Sequence, residues 1–563
     1  MKSNGAVMIL GSALLLACAQ VASPQAAIHL RQMAQSTMER WPARGNVASS
    51  SGLGELLDGM NAAWYDTADG ADYQYIKKSI DPWIAPDGSL PNSSTTRDLR
   101  QEDPLGAPIL LLYRVTGEKR YYLAASRLRD AMLASTAGSS PDISQTGPFL
   151  AEYASVFQQP RDLERITTQF VSADAQLRHS MNAAAAARYM TALVDSLQYY
   201  PVGSSGREVL LKLLNRTAAR SVRMQSRPGA ATSLQSPAPQ PHSTNCLLAY
   251  ALAKGVRLGY LPAGYQAFAL RVWQAEQGRI SAPDEATTSE PGIAEERAGA
   301  GARLLAASEM QLAGIATFVT HQTVLVDAWF NSQERTNAAG ERELFHYKWT
   351  DYRSSGFSLF GHMFRSYGVS TRRLGTAPTR TNLRSAQYYI IASPDNLAKN
   401  PQPHYVTASD AEQIEEWVRR GGVLVLMEND PANADIPHLD ILADAFGLHF
   451  NNRLTHAATE YDYAMGRIPV EGGGPLFHRA HTLYMKDTCS LQLGKGATSL
   501  LTYKGDTFMG TARSGKGTVY AVTDPWLYNE YTDGRKLPPQ YDNFAAGMEL
   551  VRWLLQQHAS QAF

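Results

Sequence analysis

Around position 142 the chain reads SSPDISQTGPFLAEYA, with one acid, Asp142, in a Ser-rich loop ahead of a helical stretch. A carboxyl group there either does acid–base work or serves as the acidic flank of a helix N-terminus. The residue types leave both readings open. A second set of acids follows apolar, strand-like runs. Glu428 and Asp430 come after GGVLVLM, Asp524 comes after TVYAVT, and Asp327, Asn331, Ser393 and Asp395 close two further runs. Ligands of parallel α/β sheets bind at the carboxyl ends of the strands. Glu428, Asp430 and Asp524 are therefore the carboxylates of a second candidate site, in which a carbohydrate pocket and a metal site are both open. His346, His438 and His478 are further polar candidates, each with an ordinary surface or core role as its alternative. Trp64 and Tyr65 are either a sugar-stacking platform or the core face of an amphipathic helix.

Other chemistries are missing their residues. Cys246 and Cys489 have no CxxC and no His at zinc-ligand spacing, so two buried thiols are expected rather than a disulfide or a metal site. GTARSGKG at 510–517 falls one residue short of a P-loop. It precedes a strand where a P-loop precedes a helix, so it reads as a hairpin turn. None of these patterns implies a cofactor.

The chain has 563 residues, of which 44% are hydrophobic and 18% charged. This is a globular composition, long enough for roughly two to four domains. Lys+Arg and Asp+Glu both number 52, giving a formal net charge of zero. That argues against a nucleic-acid partner, which needs a basic surplus to displace counterions. Residues 1–25 read as a signal peptide: Lys2, then an apolar run too short to span a bilayer. Ala17-Cys18-Ala19 suits ordinary cleavage, and Leu15-Leu16-Ala17-Cys18 suits a lipoprotein-type signal. Either implies export, to periplasm or exterior. The second adds a lipid anchor at Cys18, the one membrane link expected.

Residues 30–315 read as helix after helix. GELLDGMNAAWYDT, YYLAASRLRDAMLA and NCLLAYALAKGVRLGYL carry apolar residues at helical spacing between Gly, Pro and Asp stops. So many successive helices suggest an α/α toroid or solenoid. The pattern changes near 320. SAQYYIIASPD and GGVLVLMEND flank a helix that Thr407 caps and Gly421-Gly422 stop, which is a βαβ crossover. Residues 320–560 are therefore expected to form an α/β domain with a mainly parallel sheet and added hairpins. The aromatic, polar stretch DPWLYNEYTDGRKLPPQYDNF reads as a rigid cap.

The helical half resembles glycoside hydrolase family 88/105, the unsaturated rhamnogalacturonyl and glucuronyl hydrolases. The resemblance rests on an ordered series over about 50–310, including AAWYDTADGADYQYIKKSIDPWIAPDGSL, GPFLAEYASVFQQP, ALVDSLQYYP and LAYALAKGVRLGYL. It implies an (α/α)6 barrel acting on pectin-derived oligosaccharides that end in an unsaturated uronic acid. In that family an aspartic acid protonates the double bond and helps deliver water, and the hemiketal formed opens and releases the sugar. Counted back from Pro148, the acid's slot holds Pro141, with Asp142 one position later. The slot of an earlier family aspartate holds Gln101, beside Glu102 and Asp103. Five alanines, 183–187, stand where the family carries a Trp- and Arg-containing motif. The resemblance thus implies a lineage member whose usual site is degraded, with Asp142, Glu102 and Asp103 as the remaining acid candidates.

The α/β half resembles glutamine-amidotransferase-like domains of the ThuA-like group, but no Cys stands at a strand end, so amidotransferase chemistry is not expected. The alternatives are a non-catalytic carbohydrate- or protein-binding module, or an activity in the α/β half.

Overall fold

The computed structural model describes residues 24–43, 51–90, 105–134, 142–180, 182–225, 242–280, 290–314, 318–459 and 462–559. Glu102, Asp103 and Cys18 lie outside them. Twelve α-helices precede the first strand among these residues: α1 (Pro24–Arg40), α2 (Leu53–Thr67), α3 (Gly70–Ile80), α4 (Gly106–Thr116), α5 (Lys119–Leu133), α6 (Ile143–Val156), α7 (Pro160–Ser180), α8 (Ala183–Ser196), α9 (Ser205–Gln225), α10 (His242–Arg257), α11 (Tyr265–Ile280) and α12 (Glu290–Ala313). Local chemistry sets their ends. The Asp69 side chain accepts from Ala71 N at 3.0 Å at the start of α3, and Asn182 caps α8 through Ala185 N at 2.8 Å. Gly117, at φ 73°, ends α4 in a conformation that favours glycine. The alanines 183–187 form the first turns of α8, where they are good helix formers.

The even-numbered helices pack in cyclic order. α2 contacts α4, α4 contacts α6, and the chain of contacts continues through α8, α10 and α12 back to α2. The odd-numbered helices lie outside this cycle. Closure of the cycle needs an unusually close approach. A Cβ on Gly59 would stand 2.6 Å from Gly301 O, and a Cβ on Gly301 would stand 2.0 Å from Glu55 O. Only glycine lets the α2 and α12 backbones meet there.

The C-terminal half is built on a nine-stranded sheet of order β4 (Ser370–Leu374), β1 (Thr323–Asp327), β5 (Tyr388–Ala392), β6 (Val423–Met427), β13 (Gly517–Val522), β12 (Asp506–Ser514), β10 (Leu491–Leu493), β7 (Leu448–Phe450), with β11 (Ala497–Tyr503) on β12; β2 (Glu334–Thr336) with β3 (Arg342–Leu344) and β8 (Arg467–Val470) with β9 (His481–Tyr484) form two separate pairs. β1, β4, β5, β6 and β13 pair in parallel; β7, β10, β11 and β12 add antiparallel pairings. Side chains alternate between two cores. Tyr388, Ile390, Val423, Val425 and Val522 face one, while Tyr389, Ile391, Leu424, Leu426 and Ala521 face the other. Burial on both faces explains the continuous apolar runs. The crossover helix (Ala408–Arg419) has the expected Thr407 capping box with Asp410 and buries Ala411, Ile414, Trp417 and Val418. Ser514 pairs with Gly517 across a two-residue turn, so the P-loop-like stretch is a hairpin. Cys246 and Cys489 are free and buried, in different cores. Among the described residues, no helix is long and apolar enough to cross a membrane.

The two halves meet directly. Trp64 Nε1 donates to Asp533 O at 2.7 Å, and a Cβ on Gly70 would stand 2.1 Å from Gly534 O. Within the aromatic stretch, Asn529 donates to Asp351 O and Arg353 O and accepts from Leu359 N, so that stretch braces the segment facing the helices.

The close approach of α2 and α12 gives a stability test. Gly301→Ala is expected to cost about 1–3 kcal/mol in urea unfolding, through forced separation of the two backbones. Gly264→Ala, whose Cβ meets nothing within 4 Å, is expected to stay within about 0.5 kcal/mol of the parent. Equal stabilities for the two variants would contradict this packing account.

Candidate active site

The cycle of helices encloses a cavity of about 440 Å³. Its wall follows helical spacing. α2 contributes Asp58, Asn61, Ala62 and Tyr65; α6 contributes Gln145, Pro148, Phe149 and Glu152; α8 contributes Arg188, Thr191, Ala192 and Asp195. Each set steps by i, i+3, i+4 and i+7, one face of a helix. α10 adds Tyr250, Lys254 and Arg257, and α12 adds Ser308, Glu309 and Leu312. Exposed Asp142 and Arg188 line one end, near the amino-terminal ends of their helices. At the other end lie Tyr352, His362 and Arg365 of the C-terminal half, the last two on helix α13 (Ser358–Ser366).

Most charges in the wall are paired between neighbouring helices. Arg114 on α4 forms an ion pair with Glu152 on α6, and its guanidinium lies 3.5 Å from the Tyr352 ring centroid. Asp195 on α8 accepts from Lys254 Nζ at 2.7 Å and Tyr250 OH at 2.8 Å, both on α10. Arg257 on α10 grips Glu309 on α12 and donates to Arg365 O at 2.7 Å. Asp66 on α2 bonds Ser308 of α12, and His362 Nε2 lies 2.6 Å from its Oδ1. Burial pushes the Tyr65, Tyr199 and Tyr250 hydroxyls well above the usual phenol range, so they act as neutral donors.

Asp58 differs from these acids. It is half-buried on the cavity wall, without a salt-bridge partner among the described residues. Burial raises its carboxyl well above the ordinary aspartate value; Glu55, Asp195 and Glu152 raise it further, and Lys254 opposes them. A carboxyl group of raised proton affinity, beside other carboxyl groups, is the arrangement that acid catalysis requires.

The acids expected from sequence fall in three places. Asp142 lines the cavity, but its Oδ1 accepts from Ser144 N at 2.9 Å and caps α6. Tyr65 lines the cavity, with its hydroxyl 3.2 Å from Ser358 Oγ. Trp64 does not: it is 3% exposed, packed on Tyr73 at the junction of the halves, which corrects the sugar-platform expectation. Glu428 and Asp524 follow the adjacent strands β6 and β13, and Asp430 raises the proton affinity of both. The three thus gather at one end of the sheet, but Glu428 and Asp524 are fully buried, and the cavity does not reach them. That corrects their assignment as ready binding residues. His346, at φ 55°, is pushed down to about 4 by burial and packs its ring on Phe345, 4.4 Å between centroids. It too lies away from the cavity. His438 sits 2.8 Å from Asp435, and His478 N donates to Glu549.

Asp58, Glu152, Asp195 and Lys254 were not singled out from sequence. The available signal was a set of ionisable and polar residues recurring at helical spacing on one face of each helix. A larger cleft, about 740 Å³, lies near the amino-terminal ends of β5 and β6 and is lined by exposed Arg380, Arg384 and Lys516. Its one acid, Glu416, is paired with Arg420 at 2.7 Å. Asp440, Asp444 and His449 bring potential metal-ligand atoms within 4.8 Å of one another, and hydrogen bonds or ion pairs already link them.

Residues 183–301 match the model of Glycosyl Hydrolase Family 88. That stretch carries Asp195, Tyr250 and Lys254. No curated protein matches the chain. Among solved structures, a family 105 glycoside hydrolase from C. acetobutylicum is 19% identical, covering 49% of this chain and 98% of its own, with a TM-score of 0.42. A family 88 glycosyl hydrolase from Bacteroides vulgatus is 15% identical, covering 51% and 99%, with a TM-score of 0.40. The mmIFT52 N-terminal domain is 15% identical, covering 42% and 97%, with a TM-score of 0.32.

The raised Asp58 carboxyl has a signature in stability. The native state holds this proton more tightly than the unfolded chain does. The contribution is full below the unfolded value of about 3.9 and is lost as pH climbs through the raised folded value. Asp58→Asn is therefore expected to gain stability relative to the parent progressively as pH rises above about 4, read from urea midpoints. A difference that stays constant over that rise would contradict a raised Asp58 carboxyl.

Proposed function

We propose that the protein is a carbohydrate-active enzyme of the glycoside hydrolase 88/105 lineage, acting on oligosaccharides that end in an unsaturated uronic acid, such as those derived from pectin. The observation that carries this reading is the cavity inside the helix cycle, with the raised Asp58 carboxyl on its wall and Glu152 and Asp195 among the charges that act on it. The cyclic helix packing supports an (α/α)6 toroid over 30–315, and the family match supports the lineage. The five parallel strands support a ThuA-like α/β domain over 320–560. Export through the N-terminal signal, with or without lipidation at Cys18, completes the proposal.

In this reading Asp58 donates its proton to the double-bond carbon away from the ring oxygen. Water adds to the other carbon and returns a proton to the Asp58 carboxylate. The hydrated sugar is a hemiketal; it opens, the glycosidic bond breaks, and the rest of the oligosaccharide leaves. Tyr250 and Lys254 hold Asp195, and Arg114 holds Glu152, so these acids stay fixed beside the donor. The usual family acid is displaced, and Asp58 takes over its task from the wall of α2. Asp142 keeps the helix cap.

The test follows the ultraviolet absorbance of the double bond during incubation with unsaturated rhamnogalacturonan disaccharide. Absorbance is expected to fall, and Asp58→Asn is expected to lower kcat at least about 100-fold. Asp142→Asn preserves the cap, since Asn caps as well as Asp, and is expected to keep most of the rate. No loss of absorbance at high protein concentration would reject the proposal for this substrate; loss of activity in Asp142→Asn alone would move the acid to Asp142.

A further inference from the structure

The closed end of the cavity is built by the C-terminal half, and one cation there lacks an anion. Arg114, Lys254 and Arg257 each face a carboxylate. Arg365 does not. Its Nη1 donates to Thr371 Oγ1 at 3.2 Å and its Nη2 to Ser358 O at 3.4 Å, both neutral groups. Its charged and ionisable neighbours are Arg257, a like charge, and the hydroxyls of Tyr352, Tyr65 and Tyr199. Burial disfavours its charged form. A guanidinium kept in such a place without a carboxylate is costly unless an anion meets it.

The spacing fits one sugar. Asp58 precedes Tyr65, a floor neighbour of Arg365, by seven residues on α2, about 10 Å along the axis at ~1.5 Å per residue. In an unsaturated uronic acid the double-bond carbon that takes the proton lies two bonds from the carboxyl carbon, so with contacts of about 3 Å at each end it can bridge at most about 10 Å.

We propose that Arg365 is a specificity-determining residue that receives the carboxylate of a terminal uronic acid at the closed end of the cavity. The inference rests on reading the cavity as a sugar site. A single planar guanidinium suits a carboxylate, which it can grip through two parallel N–H donors. The α/β half is then part of the site rather than an appendage to it.

Binding is measured by calorimetry on the full chain with two probes, an unsaturated uronic-acid-terminated disaccharide and the same disaccharide with its carboxyl reduced to an alcohol. The parent is expected to bind the acid at least about 10-fold more tightly, the value of one charged hydrogen bond. Arg365→Gln is expected to bring the two affinities together by weakening only the acid. Arg365→Lys keeps the charge but loses the fork, and is expected to fall between. Unchanged discrimination in Arg365→Gln overturns the proposal, as does a parent that binds both probes equally or neither. Should Arg365→Gln fail to fold, Arg365→Lys and the parent's own preference decide by the same criteria. Turnover is read separately. Selective binding through Arg365 without hydrolysis would sink the enzymatic reading and leave this one standing; hydrolysis with discrimination independent of Arg365 would do the reverse.

Discussion

Charges lining an enclosed space must be compensated where they stand, and this constraint organises the helical half. Four pairs join polar groups of successive even-numbered helices: Arg114 with Glu152, Asp195 with Lys254, Arg257 with Glu309, Asp66 with Ser308. Removing one member of such a pair leaves the other buried and unpaired, which is far costlier than the pair itself is stabilising. The pairs therefore act as a set of registers that fix each helix against its neighbour. Asp58 and Arg365 stand outside this scheme, and they belong to different halves of the chain. A wall that neutralises nearly every charge makes these exceptions the places where a ligand can supply what the protein does not.

The second half enters the same balance. His362 meets Asp66, the Arg365 backbone carbonyl accepts from Arg257, and Tyr352 lies under Arg114. These groups come from a segment that Asn529 ties down with bonds to Asp351, Arg353 and Leu359. The polar aromatic stretch around Asn529 thus works on the helical cavity from behind, through the loop and helix it holds. Backbone contact between Gly70 and Gly534 leaves little freedom for the halves to shift.

Much of this architecture could be read from the chain. The Thr407 capping box, the glycine stop after Arg420 and the unbroken apolar strands each have one physical meaning, and the structure follows them. The candidate site was less legible. Asp142 could be placed at a helix start because that signal is local. Asp58, Glu152 and Asp195 could not be placed, since an inward helix face reads the same whether it meets a packed core or a cavity. Only the cycle of six helices distinguishes the two. Trp64 misled for a related reason: its indole partner is Asp533 O, 469 residues away. Glu428 and Asp524 do stand at strand ends, as parallel-sheet logic expects, but surrounding side chains close over them.

If the cavity receives chain ends at Arg365 as proposed, it also sets a counting rule for any polymer that enters it. A chain presents the same number of termini however many residues it carries, so the sites open to this protein per gram of polymer fall in inverse proportion to length. Every internal cut made by some other agent creates a new terminus. Under that reading the protein's throughput would be coupled to prior fragmentation: long, intact chains would be nearly invisible to it, and a digest of short ones would be dense with places to bind.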